Sequence, residues 1–246
     1  MFNVIRVRNF EELSTRAFEI ILKTVREKPE AVIGFPAGST PLGLYRMLIE
    51  DHRENGTSWS GCTAFSLDEY VGMPGYDSES CYSFLHHNLF NHLDIPEENI
   101  HVPSGTGDLA ASCEQYNELL EAHPIDVQIL GIGSNGHIGF NEPETSFDSV
   151  THVVDLNAST IRDNARFFDN DEDRVPAKAI TMGIANLMAA KKIVLLASGS
   201  AKANAVRAAI LGVITEYVPA SVLKMHPDVV MIIDEEAASA LYKEKR

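Results

Sequence analysis

Leu130-Gly-Ile-Gly-Ser-Asn-Gly-His-Ile-Gly-Phe-Asn-Glu142 runs an apolar strand directly into a glycine-rich bend that carries two ionisable side chains, His137 and Glu142. Its glycines at 131, 133, 136 and 139 permit φ > 0 and a close approach of backbone to a ligand. An ordinary strand-to-helix connection seldom needs so many. A sharp bend bearing a surface histidine accounts for the same residues without chemistry, so the reading turns on what surrounds the bend.

Working outward, the order of strand, glycine-bearing loop and helix recurs along the chain. Asn3 to Val7 reads as a short opening strand, and Phe10 to Glu27 as an amphipathic helix, with Leu13, Ala17, Ile20, Ile21 and Val25 at helical spacing. Ala31 to Phe35 is a buried strand, followed by a helix over Thr40 to Glu50 with Pro41 in its first turn. Thr63 to Leu67, Val127 to Gly131 and Lys192 to Ala197 repeat the strand pattern, the last leading to a helix near Ala201 to Leu211. Val229 to Ile233 leads to a helix over Glu235 to Tyr242. Continuous apolar strands separated by helices imply an α/β fold: a mainly parallel sheet with helices on both faces, Rossmann-like, with ligands at the carboxyl ends of the strands. The loops after Phe35, Leu67, Leu130 and Ala197 then share one rim.

A length of 246 residues suits one domain over residues 1–246. Hydrophobic residues at 45% and charged ones at 22% are those of a globular chain, and the prolines are scattered rather than bunched. The formal charge of −15 argues against nucleic acid and anionic membranes as partners. Basic groups gathered at one point would therefore serve a local anion. Cys62, Cys81 and Cys113 show neither CxxC spacing nor histidine neighbours, so they read as reduced, inert thiols with no metal site. No stretch reaches the roughly 18 apolar residues of a membrane helix, and the N-terminus lacks an apolar leader core. A cytoplasmic location is expected.

Two turns on the rim can hold an anion. Gly38-Ser39-Thr40 opens a helix whose first amides lack intrahelical partners, and Gly199-Ser200-Ala201-Lys202 repeats the arrangement with a cation. Capping of the helix by Ser39 or Thr40 explains the first turn without a ligand. Lys202 stands at the unfavourable end of a helix dipole, a mismatch that an anionic partner would relieve. Arg162 to Pro176 is polar and acid-rich around Phe167-Phe168, and reads as a mobile connection able to close as a lid or as a surface loop pinned by its two rings. Arg166 within it suits either a phosphate clamp or a surface ion pair.

Asp68-Glu69-Tyr70 follows a strand, so one carboxylate can point into the rim cleft while its neighbour points away; carboxylates at strand ends also cap helices or pair with basic groups. An imidazole is the side chain suited to shuttling protons near neutrality, which makes His137 a candidate acid/base, and Glu142 is placed to orient it. The remaining histidines, His86, His87, His92, His101 and His226 among them, lie in stretches without such neighbours and read as structural or surface residues. Dinucleotide (GxGxxG with a distal acid), ATP (GxxxxGK[ST]) and nucleophile-elbow (GxSxG) signatures are all absent.

Phe35-Pro-Ala-Gly-Ser-Thr-Pro41, Ser66-Leu-Asp-Glu-Tyr-Val-Gly72, Gly131 to Pro143, Ala165-Arg-Phe-Phe-Asp-Asn-Asp171 and Gly199-Ser-Ala-Lys202 together resemble the glucosamine-6-phosphate deaminase (isomerase) family over nearly the whole chain. The resemblance implies conversion of glucosamine 6-phosphate and water to fructose 6-phosphate and ammonia, without a cofactor. Asp68 then resembles the base that carries a proton from C2 to C1, His137 the acid/base that opens the sugar ring, and Glu142 the carboxylate assisting it. Gly38, Ser39, Thr40, Arg166 and Lys202 match positions that hold the sugar phosphate, and residues 162–182 correspond to a lid. Asn135 stands where many members carry Asp, which removes a negative charge beside His137. Val150-Thr-His-Val-Val154 is nearly uncharged where regulated hexameric members are basic, so an unregulated monomer is expected.

Two other readings compete. A 6-phosphogluconolactonase shares the His motif and phosphate turns, but Phe140-Asn-Glu142 and Asp68-Glu69-Tyr70 depart from the lactonase pattern. A non-catalytic sugar-phosphate sensor would be expected to carry a DNA-binding module and a basic face, and this chain has neither.

Overall fold

The computed structural model describes residues 3–241. Among the described residues there are ten strands: β1 (Asn3–Val7), β2 (Val32–Phe35), β3 (Thr63–Ser66), β4 (Asp68–Tyr70), β5 (Ile100–His101), β6 (Val127–Leu130), β7 (His152–Asp155), β8 (Lys178–Thr181), β9 (Lys192–Ala197) and β10 (Val229–Asp234). Between them lie the helices α1 (Phe10–Glu27), α2 (Leu42–Asn55), α3 (Cys81–Asn88), α4 (Leu109–Ala122), α5 (Ala158–Asn164), α6 (Ile184–Met188) and α7 (Ala203–Leu211). Seven strands form one sheet in the order β1-β10-β9-β6-β2-β3-β5, parallel at every pairing.

Alternation along the strands divides the core between the two faces of this sheet. Val194 and Leu196 of β9, with Val230 and Ile232 of β10, pack against Leu13, Ala17, Ile21 and Val25 of α1 and Leu44 and Leu48 of α2. Ile193, Leu195 and Ala197, with Met231 and Ile233, pack on the opposite face with α4, α6 and α7. Burial of each large side chain contributes about 1.5–3 kcal/mol, and both faces are covered, as the unbroken apolar strands require. The helix starts are locally encoded: Asn9 accepts from the Glu12 amide, Ser80 from Ser83, and Asp108 from Ala110 and Ala111.

Four features depart from the sequence reading. A second, three-stranded antiparallel sheet, β4-β8-β7, stands beside the first; strands of three or four residues with mixed polarity gave no period to detect. The stretch expected to close as a lid ends in this sheet, because residues 178–181 are β8, its central strand. Pro41 is the N-cap of α2 rather than a first-turn residue. The helix expected over Glu235 to Tyr242 is instead a run of turns through Leu241, with Tyr242 outside the described residues. There the Asp234 carboxylate accepts from the Ala237 amide at 2.8 Å while also taking Gly199 N–H and Ser198 Oγ–H; after a single four-residue bond from the Ala238 amide to the Asp234 carbonyl, the amides of Ser239 and Leu241 bond three residues back. That competition stops a regular ladder. No helix among the described residues is long and apolar enough to cross a membrane.

β4 is held from behind by Gly105, where an added Cβ would lie 2.0 Å from the Tyr70 carbonyl oxygen. Backbone rather than a flexible side chain blocks the space. Gly105→Ala is expected to cost about 1–3 kcal/mol, read as a lower urea midpoint at unchanged slope; an unchanged midpoint would mean that β4 has room to shift.

Candidate functional site

The chain runs from β2 through β3 to β5 in one direction across the sheet, and from β6 through β9 to β10 in the other, with the opening strand β1 on the edge beyond β10. Loops after β2 and β6 therefore diverge, and a crevice opens at the carboxyl ends of these two strands. A cavity of about 220 Å³ lies there, lined by residues 36–41 after β2, Leu67 and Asp68 after β3, residues 130–133 after β6, and Lys202 beyond β9. The four rim loops expected from the strand pattern meet at one place. Gly38, Ser39, Thr40, Asp68, His137, Arg166 and Lys202 all line it; Asn135 and Glu142 stand behind His137.

Asp68 opens β4, where pairing opposite Thr181 of β8 fixes its backbone. Its carboxylate is 7% exposed and accepts from the Cys81 thiol at 3.5 Å. Burial, reinforced by the neighbouring Glu69 charge and only partly offset by that thiol, pushes the Asp68 carboxyl up to about 7. Glu69 points the other way: its oxygens accept from the amides of Tyr70, Cys81 and Tyr82, so it caps α3. The alternation of a strand thus separates a cavity carboxylate from a structural one.

The His137 imidazole lies so close to Gly133 that an added Cβ there would sit 2.3 Å from its Cε1. Gly136, at φ +91, makes the left-handed turn that presents it. Asn135 Oδ1 accepts from the His137 amide at 3.1 Å, and His137 Nδ1 lies 3.6 Å from Glu142 Oε2 and 3.4 Å from Thr160 Oγ1. Glu142 is buried, which works to raise its carboxyl. The imidazole, Thr160 and the Asn157 amide outweigh that burial and hold it at about 2. Asn135 Nδ2 donates to Glu142 Oε2 at 2.7 Å and Asn157 Nδ2 to the same oxygen at 3.2 Å. Asn135 therefore acts through Glu142 and His137 rather than on the cavity.

At the rim, neither Ser39 nor Thr40 caps α2, and among the described residues no hydrogen bond occupies either hydroxyl. Gly38 takes φ +115, turning the chain into the helix start. Lys202 closes a 3₁₀ turn (Ser200–Lys202) and makes no ion pair among the described residues; burial lowers its pKa, and Arg166 adds to that against Asp163. Arg166 has no carboxylate partner among the described residues and lies 4.8 Å from the Phe167 ring. Two cations that make no ion pair among the described residues thus line one cavity in a chain of charge −15, an arrangement with the charge to hold a dianion. The surface pair expected as an alternative for Arg166 belongs instead to Arg174, which engages Glu79 and Asp169.

Segment 162–176 forms short helical turns, and Asp163, Asn164, Arg166 and Phe167 within it line the cavity. Phe168 is fully buried at 5.4 Å edge-on to Tyr70, and Phe167 meets Phe84 at 6.2 Å. Several site neighbours had no readable signal: Thr160 and Asn157 reach Glu142 and His137 from α5, and Ser134 Oγ donates to Asp163 at 2.6 Å. Cys81, read from sequence as inert, lines the cavity. Among the described residues no group of three or more His, Cys, Asp or Glu side chains is arranged to hold a metal ion.

Residues 8–231 match the family of glucosamine-6-phosphate isomerases/6-phosphogluconolactonase. A glucosamine-6-phosphate deaminase of Thermoanaerobacter pseudethanolicus is 51% identical over 97% of this chain and 94% of its own length, and one of a Geobacillus species is 48% identical over 99% and 97%. The solved structure of a monomeric glucosamine-6-phosphate deaminase superposes with a TM-score of 0.95 at 45% identity, covering 97% of this chain and all of that one. A 6-phosphogluconolactonase from Trypanosoma cruzi, at 21% identity and a TM-score of 0.80 over 99% of this chain and 98% of its own, shares the fold. With the matched region taking in both rim turns and the His137 bend, the chain belongs to the glucosamine-6-phosphate isomerase/6-phosphogluconolactonase family.

Proposed function

We propose that this chain is a glucosamine-6-phosphate deaminase: a cytoplasmic, monomeric enzyme, one domain over residues 1–246, that turns a phosphorylated amino sugar and water into the ketose phosphate and ammonia. The observation that carries the reading is the convergence in one cavity of a buried carboxylate, an imidazole backed by a second carboxylate, and two cations that make no ion pair among the described residues. Relatives of 48–51% identity that bear this activity support it.

Gly38, Ser39, Thr40, Arg166 and Lys202 hold the 6-phosphate, so that binding energy from a non-reacting group fixes C1 and C2. His137 carries a proton from the C1 hydroxyl to the ring oxygen, opening the ring to the aldehyde; Glu142, kept anionic, holds the imidazole and stabilises its charged form. Asp68 takes the proton from C2 while the C1 oxygen gains one from the substrate's ammonium group, giving an enolamine, and Asp68 then returns its proton to C1. The resulting C2 imine adds water and releases ammonia. Proton transfer from carbon needs Asp68 ionised yet still basic, and a carboxyl near 7 meets both demands.

The assay is purified, metal-free protein with glucosamine 6-phosphate, following ammonia and fructose 6-phosphate together; release of neither, with binding intact, would leave a sensor. Asp68→Asn should reduce turnover by a factor of about 10³ or more while retaining binding, and abolish exchange of the C2 proton with solvent. Undiminished exchange would remove Asp68 from its role. In the unmodified enzyme kcat/KM should rise with pH through a limb near 7. The sign for stability is opposite: the folded-state carboxyl lies above its ordinary 3.8, so the native state loses stability as pH climbs from about 4 through 7. The gain in melting temperature of Asp68→Asn over the unmodified protein should therefore widen between pH 5 and 8.

Asn135→Asp would replace the donor to Glu142 by a second carboxylate at 2.7 Å. One of the two must then hold a proton at neutral pH. The expected result is a loss of stability of about 1–3 kcal/mol at pH 7 that shrinks on acidification, read from urea midpoints across pH; a loss independent of pH would argue against the electrostatic account. As a monomer without an effector site, the enzyme should also show a hyperbolic substrate curve unaffected by N-acetylglucosamine 6-phosphate, and a sigmoidal curve straightened by that compound would overturn this.

A further inference from the structure

We infer that Cys81 is a positioning residue for the base: its thiol donates to Asp68 Oδ1 and so orients and partly stabilises the carboxylate that works on C2. The inference rests on the role proposed for Asp68. Cys81 is the first residue of α3, and it reaches both members of the acidic pair on β4, its amide donating to Glu69 Oε1 at 2.9 Å and its Sγ–H to Asp68 Oδ1 at 3.5 Å. The Glu69 cap thus sets where the helix begins, and the helix start sets where the thiol points. Cys81 and Asp68 are both buried and line the same cavity.

No other hydrogen bond reaches an Asp68 carboxylate oxygen among the described residues. The titratable groups around it are Glu69 and Tyr70 on its own strand, Tyr45 of α2, Cys81 of α3 and Tyr116 of α4, with His137, Arg166 and Lys202 also lining the cavity. Tyr45 and Tyr116 spend their hydroxyls on the carbonyl oxygens of Pro36 and Ser66. Burial, and then the charge of Asp68, drives the thiol well above its ordinary range, so it stays protonated and serves as a donor. An S–H group is a weak donor. It favours the ionised carboxylate by less than a hydroxyl or amide would, offsetting part of the burial without removing the basicity that proton abstraction needs.

Three proteins compared by kcat/KM for ammonia release across pH test this: the unmodified enzyme, Cys81→Ala and Cys81→Ser. Loss of the donor in Cys81→Ala should raise the acid limb by about one pH unit, giving about tenfold lower kcat/KM below the limb and a deficit that shrinks as pH rises. Cys81→Ser, which keeps a donor, should return the limb to its original position or below. A deficit of Cys81→Ala equal at every pH, or a Cys81→Ala limb that coincides with that of the unmodified enzyme, would overturn the inference. An unmodified enzyme without turnover would refute the proposed function instead. Infrared spectroscopy covers that case, and the case of a variant that does not fold. In the folded unmodified protein one of the three thiol S–H stretching bands should move to lower frequency as pH is raised through the Asp68 titration, and stay fixed in Asp68→Asn. Bands that never move would equally overturn it.

Discussion

Everything at the cavity follows from a constraint on parallel strands: successive strands join through crossovers of one hand, so a sheet that grows in both directions must open where the growth reverses. Here the reversal falls between β2 and β6. Neither following helix can cover the gap, and the ends of both strands stay accessible. The amides at the start of α2 and the glycine bend after β6 face the same space because their strands are hydrogen-bonded neighbours. The small antiparallel sheet supplies the remaining wall, since pairing of β4 with β8 fixes Asp68 at the margin of the opening.

The surroundings of two carboxylates then separate them chemically. Asp68 is buried with one weak donor and is pushed up to about 7. Glu142 is also buried, yet Asn135, Asn157, Thr160 and the imidazole surround it, and its carboxyl falls to about 2. The same residue chemistry yields a group able to exchange protons near neutrality and a fixed anion. Lys202 and Arg166 complete the contrast, because in a strongly acidic chain these two cations line the cavity without an ion pair among the described residues.

Much of this was legible in the residues themselves. Unbroken apolar strands alternating with helical periods imply the doubly covered parallel sheet, and its strand ends imply one rim. The glycines of the 130–142 bend and the turn at Gly38 mark backbone that must approach something closely. The paired acids at 68 and 69, read through strand alternation, already assign one carboxylate to the cleft and one away from it. Periodicity failed where elements are short or capped by long-range partners: the three-stranded sheet, and the turns after Asp234, whose carboxylate is shared with Gly199 and Ser198.

The sequence by itself determined the layer architecture, the rim loops and the candidate residues, because hydrophobic period, glycine and charge are local properties of the chain. Only the tertiary structure decided that Asn135 serves Glu142 rather than the cavity, that Arg174 and not Arg166 takes the surface ion pairs, and that Cys81 meets Asp68. Hydrogen bonds and desolvation depend on distances between segments far apart in the chain, and no local pattern encodes those distances.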